Sequence, residues 1–403
     1  MSRDALADGW AGAFPEAGWM APAGAVVPGV GAIEPGAWRA ARPPEAEGWA
    51  YLAACEAAPP AAMSLGAVRV GQGGAFLAGA PVFSLGYRLD TPLQGGRLGA
   101  LADRLTRAAP RLLEWRMLGV GSPFTDACPL ALDPRLDPAG RDAALRALVT
   151  AAEADARRRG ASLIAFKDLA PREAELTGDA LAAAGYVPVE SLPVAVLDLH
   201  GCAGLEAYLA RLSAGTRKDL RRKMKGAHRV SVEWRTSISG MEAEVRALYE
   251  ATRTRSRVRY GDFEDLPDGY FELVGQALQG DAVFACYRVG GVLAGFNLLL
   301  VQPDRVIDKF LGMAYPLGPE HDLYALSWIE NVRFCQRIGR RYFQTGQTAY
   351  ASKLRFGSAL EPRTHYVRHL NPVLHALVRL AAPLLAFPRW DPDLGHAARE
   401  ARA

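Results

Sequence analysis

The 403-residue sequence is short of the features that would mark a secreted, metal-stapled or membrane-spanning chain. Cysteine is scarce: Cys55, Cys128, Cys202, Cys286 and Cys335 are far apart, and no Cys-x-x-Cys occurs. An odd, scattered set supports neither a disulfide framework nor a zinc cluster, so a reducing cytoplasm is expected. No run of ~18 uncharged apolar residues is present to cross a bilayer. The opening Met-Ser-Arg-Asp-Ala-Leu-Ala-Asp lacks the basic-then-apolar order of a secretory leader. Charge of one sign is lacking as well: 47 Lys and Arg face 43 Asp and Glu, for a net +4, which argues against a chain that coats nucleic acid. With 50% of residues apolar and 22% charged, neither disorder nor a coiled coil fits. The length favours two domains.

What is present is unevenly distributed. Between residues 211 and 229 stand Arg211, Arg217, Lys218, Arg221, Arg222, Lys223, Lys225 and Arg229 against a single acid, Asp219. In a helix over 203–226, Leu212, Thr216, Leu220 and Met224 form an inward stripe, and Arg217, Arg221 and Lys225 line up on a neighbouring face. Three aligned cations repel one another unless an anion lies against them, and phosphate suits arginine. Arg253, Arg255, Arg257 and Arg259 would widen the patch.

The first 44 residues are rich in Gly, Pro and Ala yet carry Trp10, Trp19 and Trp38, which predicts an irregular strap lying on a core. Beyond it the hydrophobic patterning alternates between strand and helix periods. A helix near 97–108, a strand over 112–120, a helix over 139–159, strands at 162–167, 186–190 and 194–199, and a helix over 173–184 are followed, after the basic segment, by a similar series. That second series comprises strand-like runs at 282–289, 292–301 and 305–314, a helix over 322–338, a strand at 341–345, a short helix near 349–356 and a strand over 363–370. Helix-stopping Gly160 and Gly339, each leading into a strand, lie 179 residues apart, and Gly185 and Gly357, followed by Pro188 and Pro362 and then an apolar run, lie 172 apart. The repeat implies two copies of one fold.

The order of strand hairpin, long helix, strand, short helix and final strand resembles the GNAT acyltransferase fold. Two copies in tandem resemble the Fem-type peptidyltransferases and FemAB-like acetyltransferases. The segment Arg217-Lys-Asp-Leu-Arg221-Arg-Lys-Met-Lys225 resembles the cationic helix that opens the second Fem-like domain. The segment Gly346-Gln-Thr-Ala-Tyr350-Ala-Ser-Lys353-Leu-Arg-Phe-Gly357 resembles that domain's late Gly- and Lys-bearing motif, and the helix carrying Tyr324, Trp328 and Glu330 corresponds to its long helix. The resemblance implies a mixed α/β (α+β) chain of two tandem GNAT folds: a first domain over 1–200, a second over 201–370, and an apolar helix and tail over 371–403.

The same resemblance implies transfer of an acyl group to an amine, from an acyl-CoA or from a charged tRNA, with no metal. The acceptor would be a phosphate-bearing small molecule or a lipid-linked, cell-envelope substrate. Lys353 and Tyr350 would stabilise the oxyanion, and Arg217, Arg221, Lys225, Tyr324 and Gly346 would bind substrate. The signature CoA-pyrophosphate loop is not clear in either copy: Glu320 and Asp322 crowd the second, and Asp137 looks like a helix cap in the first.

Asp308 is the candidate base, since it interrupts the apolar run Val306-Ile-Asp-Lys-Phe-Leu, and strand alternation predicts that either Asp308 or Lys309 faces solvent. His365 and His369 lack a third ligand for a metal. The apolar segment 371–387, kinked at Pro383, is expected either to dock on the body or to rest in a membrane interface, making the chain cytoplasmic and peripheral to the inner membrane in the second case. A non-catalytic anion-binding protein on the same fold is the alternative from another class.

Overall fold

The computed structural model describes residues 21–88, 114–255, 265–391 and 393–394. The expected helix near 97–108, Trp10, Trp19, Arg257 and Arg259 lie outside them. In chain order the first part runs β1 (Ala23–Val27), α1 (Pro35–Ala41), α2 (Trp49–Glu56), β2 (Ser64–Gln72), β3 (Ala75–Arg88), β4 (Glu114–Val120), β5 (Ala131–Leu132), α3 (Pro138–Arg158), β6 (Leu163–Leu169), α4 (Pro171–Ala183), β7 (Val187–Glu190) and β8 (Val194–Asp198). The second runs α5 (Leu205–Arg211), α6 (Ala214–Met224), β9 (Val230–Arg235), α7 (Glu242–Arg253), α8 (Tyr270–Leu278), β10 (Ala282–Val289), β11 (Val292–Val301) and β12 (Arg305–Met313). It continues with α9 (Leu317–Glu320), α10 (Leu323–Arg337), β13 (Tyr342–Gln344), α11 (Tyr350–Arg355), β14 (Ala359–Glu361), β15 (Thr364–His369) and α12 (Pro372–Leu385).

Local chemistry accounts for the boundaries. Asp137 caps α3 by accepting from the Gly140 amide at 2.7 Å, and Pro138 opens the helix. The glycines at 160 and 339, both with φ of 67°, end the long helices of the two halves. The basic segment is two helices rather than one, because the Ser213 hydroxyl accepts from the Thr216 amide at 3.2 Å and starts a new helix there.

The strands form two mixed sheets. The first has the order β1-β2-β3-β4-β6-β15-β7, with β5 attached to β3; the second has the order β9-β10-β11-β12-β13-β8-β14. Position by position the two orders correspond, each with an antiparallel meander of four strands, a single parallel junction, and two antiparallel strands beyond it. The repeat read from the glycines is therefore a repeat of topology.

Its ends are exchanged. β8 sits in the second sheet and β15 in the first, so sheet membership departs from the expected boundaries at 200 and 370. Neither connection can reverse tightly: Ser191-Leu-Pro193 and Pro362-Arg363 contain no Gly or Asn, and proline holds its predecessor extended. Each chain segment runs straight on into the opposite sheet. The two crossings touch where the Ser191 amide donates to the Arg363 carbonyl at 2.9 Å.

The strap is folded where it is described. Trp38 is 1% exposed, and α2 packs on α8 in a core that joins Trp38, Tyr51 and Cys55 to Phe271 and Phe284 of the second half. All five cysteines are buried and unpaired.

Candidate active site

The two parallel junctions set the site. β12 and β13 pair only from Arg305–Tyr342 to Ile307–Gln344, after which Asp308 and Thr345 stand on either side of an opening. Beyond it lies a cavity of about 540 Å³ whose walls come from both sheets. At its second-sheet end are Asp308, Lys309, Tyr324, Gly346 and Lys353; at its first-sheet end are Asp126, Lys167, Asp168 and His365.

Asp308 and Lys309 do not obey strand alternation. Leu298 pairs with Phe310 and Leu299 with Asp308, leaving Lys309 as an extra residue in a β-bulge. The bulge turns both side chains inward, so the expectation that one of them faces solvent is corrected. Lys309 is buried against Glu47, just ahead of α2, at 2.5 Å. The Asp308 carboxylate accepts from the side-chain Nδ2 of Asn297 at 2.8 Å and, on its other oxygen, from Nδ2 of Asn331 at 3.4 Å. Burial pushes the Asp308 carboxyl up to about 6, against the pull of the Asn297 hydrogen bond and the Lys353 charge.

Lys353 projects from α11 into a cage of carbonyls. Gly346, Thr348 and Ala349 have φ of 68°, 69° and 50°, and these left-handed residues on either side of Gln347 curl the loop around the lysine. Its ammonium donates to the carbonyls of Thr345, Gly346 (3.2 Å) and Gln347 (3.0 Å), which uses all three protons. Burial lowers it to about 8, opposed by Asp126 and Asp308. Lys353 therefore reaches the cavity as a charge and a loop anchor, and the expected direct donation to an oxyanion would cost it one of these bonds.

Gly346 lines the cavity, where a Cβ would sit 3.3 Å from Asp126 Oδ2. Tyr324 lines it from the start of α10, and burial pushes its hydroxyl up to about 12. Tyr350 is not among the lining residues. Its ring is fully buried and its hydroxyl donates to the Pro193 carbonyl at 2.7 Å, so the expected role at the reacting atoms gives way to one in packing. Tyr350→Phe is accordingly expected to lose about 1 kcal/mol of stability and to keep kcat within twofold; a tenfold loss of kcat would restore it to the chemistry.

The cationic face of α6 is also outside the cavity. Leu212, Thr216 and Leu220 are buried as expected, and that packing turns the arginines away. Arg217 donates to the carbonyls of Ala210 and Leu212 at the end of α5, Arg221 pairs with exposed Glu206 at 2.5 Å, and Lys225 is exposed. The structure does not bring these three to Lys353 and Asp308. The double variant Arg217→Ala/Arg221→Ala is expected to leave kcat within twofold and to raise KM for a phosphate-bearing substrate in a salt-sensitive way, read from initial rates at low and high ionic strength.

Sequence reasoning missed the first-sheet end. Asp168, at φ of 55°, is buried and bonded to Lys167, to the Ser191 hydroxyl and, at 3.4 Å, to Gln347. Its amide donates to His365 Nδ1 at 3.0 Å, and burial lowers the His365 pKa, keeping the ring neutral with its proton on Nε2. His369 has other partners, Trp115 and Asn371. A signal did exist for one neighbour: Asn297 is the lone polar residue of β11 between Val292 and Val301. No group of three potential metal ligands occurs among the described residues.

At the parallel junction, Met117 pairs with Leu163 and Arg305 with Tyr342; by the Gly160–Gly339 correspondence, Val120 occupies in the first half the place of Asp308. Only the second half carries the carboxylate. Residues 214–354 match the acetyltransferase (GNAT) domain family. The first sheet repeats the strand order of the matched half, so the chain is two GNAT-type folds in tandem. No protein in the curated set matches the sequence.

Among solved structures, FemX is similar at 12% identity over 78% of this chain and 90% of its own, with a TM-score of 0.47. A tandem GNAT protein from the clavulanic acid biosynthesis pathway is 16% identical over 87% of this chain and 99% of its own, with a TM-score of 0.47. The C-terminal domain of a protein described as a lysylphosphatidylglycerol synthetase, from Agrobacterium fabrum, is 18% identical over 75% of this chain and 84% of its own, with a TM-score of 0.43.

Proposed function

We propose that this protein transfers an acyl group from a thioester donor, acyl-CoA, to an amine. The observation that carries the reading is Asp308, a half-buried carboxylate at a strand bulge that faces the cavity beside the charge of Lys353 and is pushed up to about 6 by desolvation. A base needs a pKa close to the working pH and a position within reach of the proton it takes. The amine nitrogen attacks the carbonyl carbon, a C–N bond forms, and its proton passes to Asp308. The carbonyl oxygen gains negative charge beside the Lys353 ammonium. Collapse breaks the C–S bond, and Asp308 returns that proton to the departing sulfur, which leaves as the thiol. Tyr324 and Gly346 shape the wall on which the substrates lie.

The donor's phosphates would not rest on the first-half helix start, where Asp137 fills the place of an anion. At α10, Asp322 makes no side-chain cap and lies 3.8 Å from Lys223 of α6, so a cation stands beside that helix start. The outer face of α12 exposes Val373 and Leu380 at 70% and 79%, which supports peripheral contact with a membrane surface; no helix among the described residues is long and apolar enough to cross one.

Purified protein incubated with radiolabelled acetyl-CoA or with charged tRNA, each with an amine pool, tests the donor. Label transferred from acetyl-CoA and abolished in Asp308→Asn is the expected result. Transfer from the tRNA alone would overturn it.

A further inference from the structure

The cavity is larger and more apolar than the chemistry above requires. Its floor is one face of the first sheet, read at every second residue: Trp115 and Met117 on β4, Leu163 and Ala165 on β6, Val367 on β15. The roof is α12, which contributes Val378 and Leu385 and packs on β7 and β15. Along β6 the floor changes from Leu163 and Ala165 to Lys167 and Asp168, so the limb is apolar at one end and polar where it meets the second half. A cavity of this size, lined mainly by apolar side chains with a few polar groups gathered at one end, has the make-up of a small-molecule site.

We infer that this limb binds a linear alkyl chain, the acyl chain of the donor, with the carbonyl at the Asp308 end. The inference rests on the thioester reading above and names its substrate class. Four residues of β6 span about 13 Å at ~3.3 Å per residue. An extended hydrocarbon built of ~1.5 Å bonds advances about 1.25 Å per bond, so the limb takes a chain of about eight to twelve carbons. A shorter acyl group would leave part of the apolar floor uncovered.

Titration calorimetry with acetyl-CoA, dodecanoyl-CoA, free dodecanoate and dodecylamine tests this on the full chain. Dodecanoyl-CoA is expected to bind at least thirtyfold more tightly than acetyl-CoA, and dodecanoate is expected to bind measurably and to compete with it. Ala165→Trp on the floor and Val378→Trp on the roof should each weaken dodecanoyl-CoA at least tenfold and leave acetyl-CoA within twofold. The roof variant lies on a peripheral helix and, with an unchanged thermal midpoint, guards against a floor variant that fails to fold.

Equal affinities for the two thioesters overturn the inference. Dodecylamine competing with dodecanoate while the thioesters bind alike also overturns it, by giving the chain to the acceptor. Binding is independent of transfer: chain-dependent affinity together with full transfer by Asp308→Asn would uphold the chain site and defeat the base.

Discussion

Asp308→Asn is expected to reduce kcat by about 10²–10⁴-fold, the usual worth of a general base, and to raise stability at neutral pH. The two effects share a cause. The Asp308 carboxyl has a folded pKa of about 6 against an ordinary 3.8, so the native state holds its proton more tightly than the unfolded chain. Stability from this group is present in acid and falls as pH rises from about 4 to about 6, because the ionised form must be kept in a buried site. An amide carries no such penalty, so a gain on the order of 1–3 kcal/mol at pH 7 is expected. Wild-type activity should rise through pH 6, and the rise should vanish in the residual activity of the variant. Thermal unfolding and pH–rate profiles of both proteins check this; a variant less stable than wild type at pH 7, or retaining more than a tenth of kcat, contradicts it.

Lys353→Met is expected to be the most destabilising single change at the site, by about 3–5 kcal/mol, since three buried carbonyls lose their donor at once. Activity should fall with it, as the loop from Thr345 to Ala349 forms part of the cavity wall. The folded lysine sits near 8 against an ordinary 10.5, so the unfolded chain binds more protons between those values and this group's contribution to stability rises with pH there. Lys353 also holds Asp308 down, and the two titrate as a pair. Removing the ammonium should move the acid limb of the pH profile above 6. Chemical denaturation at pH 7 and the pH–rate profile of the residual activity read both effects; an unchanged acid limb would uncouple the two groups.

The sequence disclosed the repeat, and with it the fold, because helix-stopping glycines are local: positive φ at Gly160 and Gly339 is required whatever surrounds them. It also disclosed Asp308, since a carboxylate inside Val306-Ile-Asp-Lys-Phe is conspicuous. The bulge that turns Lys309 inward was not readable, because it depends on the register between β11 and β12. Tyr350 and the α6 arginines were misplaced for a related reason: spacing tells which residues share a face, and only packing tells where that face points. Asp126, Asp168 and His365 come from distant segments joined by sheet order, so no window of the chain contains them together.

The reciprocal placement of β8 and β15 ties the halves in a way that a pair of linked modules would not show. Cutting the chain at residue 200 leaves each fragment holding the inner strand that the other sheet needs, with an open slot of its own between β6 and β7 or between β13 and β14. Neither fragment is expected to give a dispersed amide spectrum alone, while the two mixed should reassemble. The intact protein should melt in one calorimetric transition.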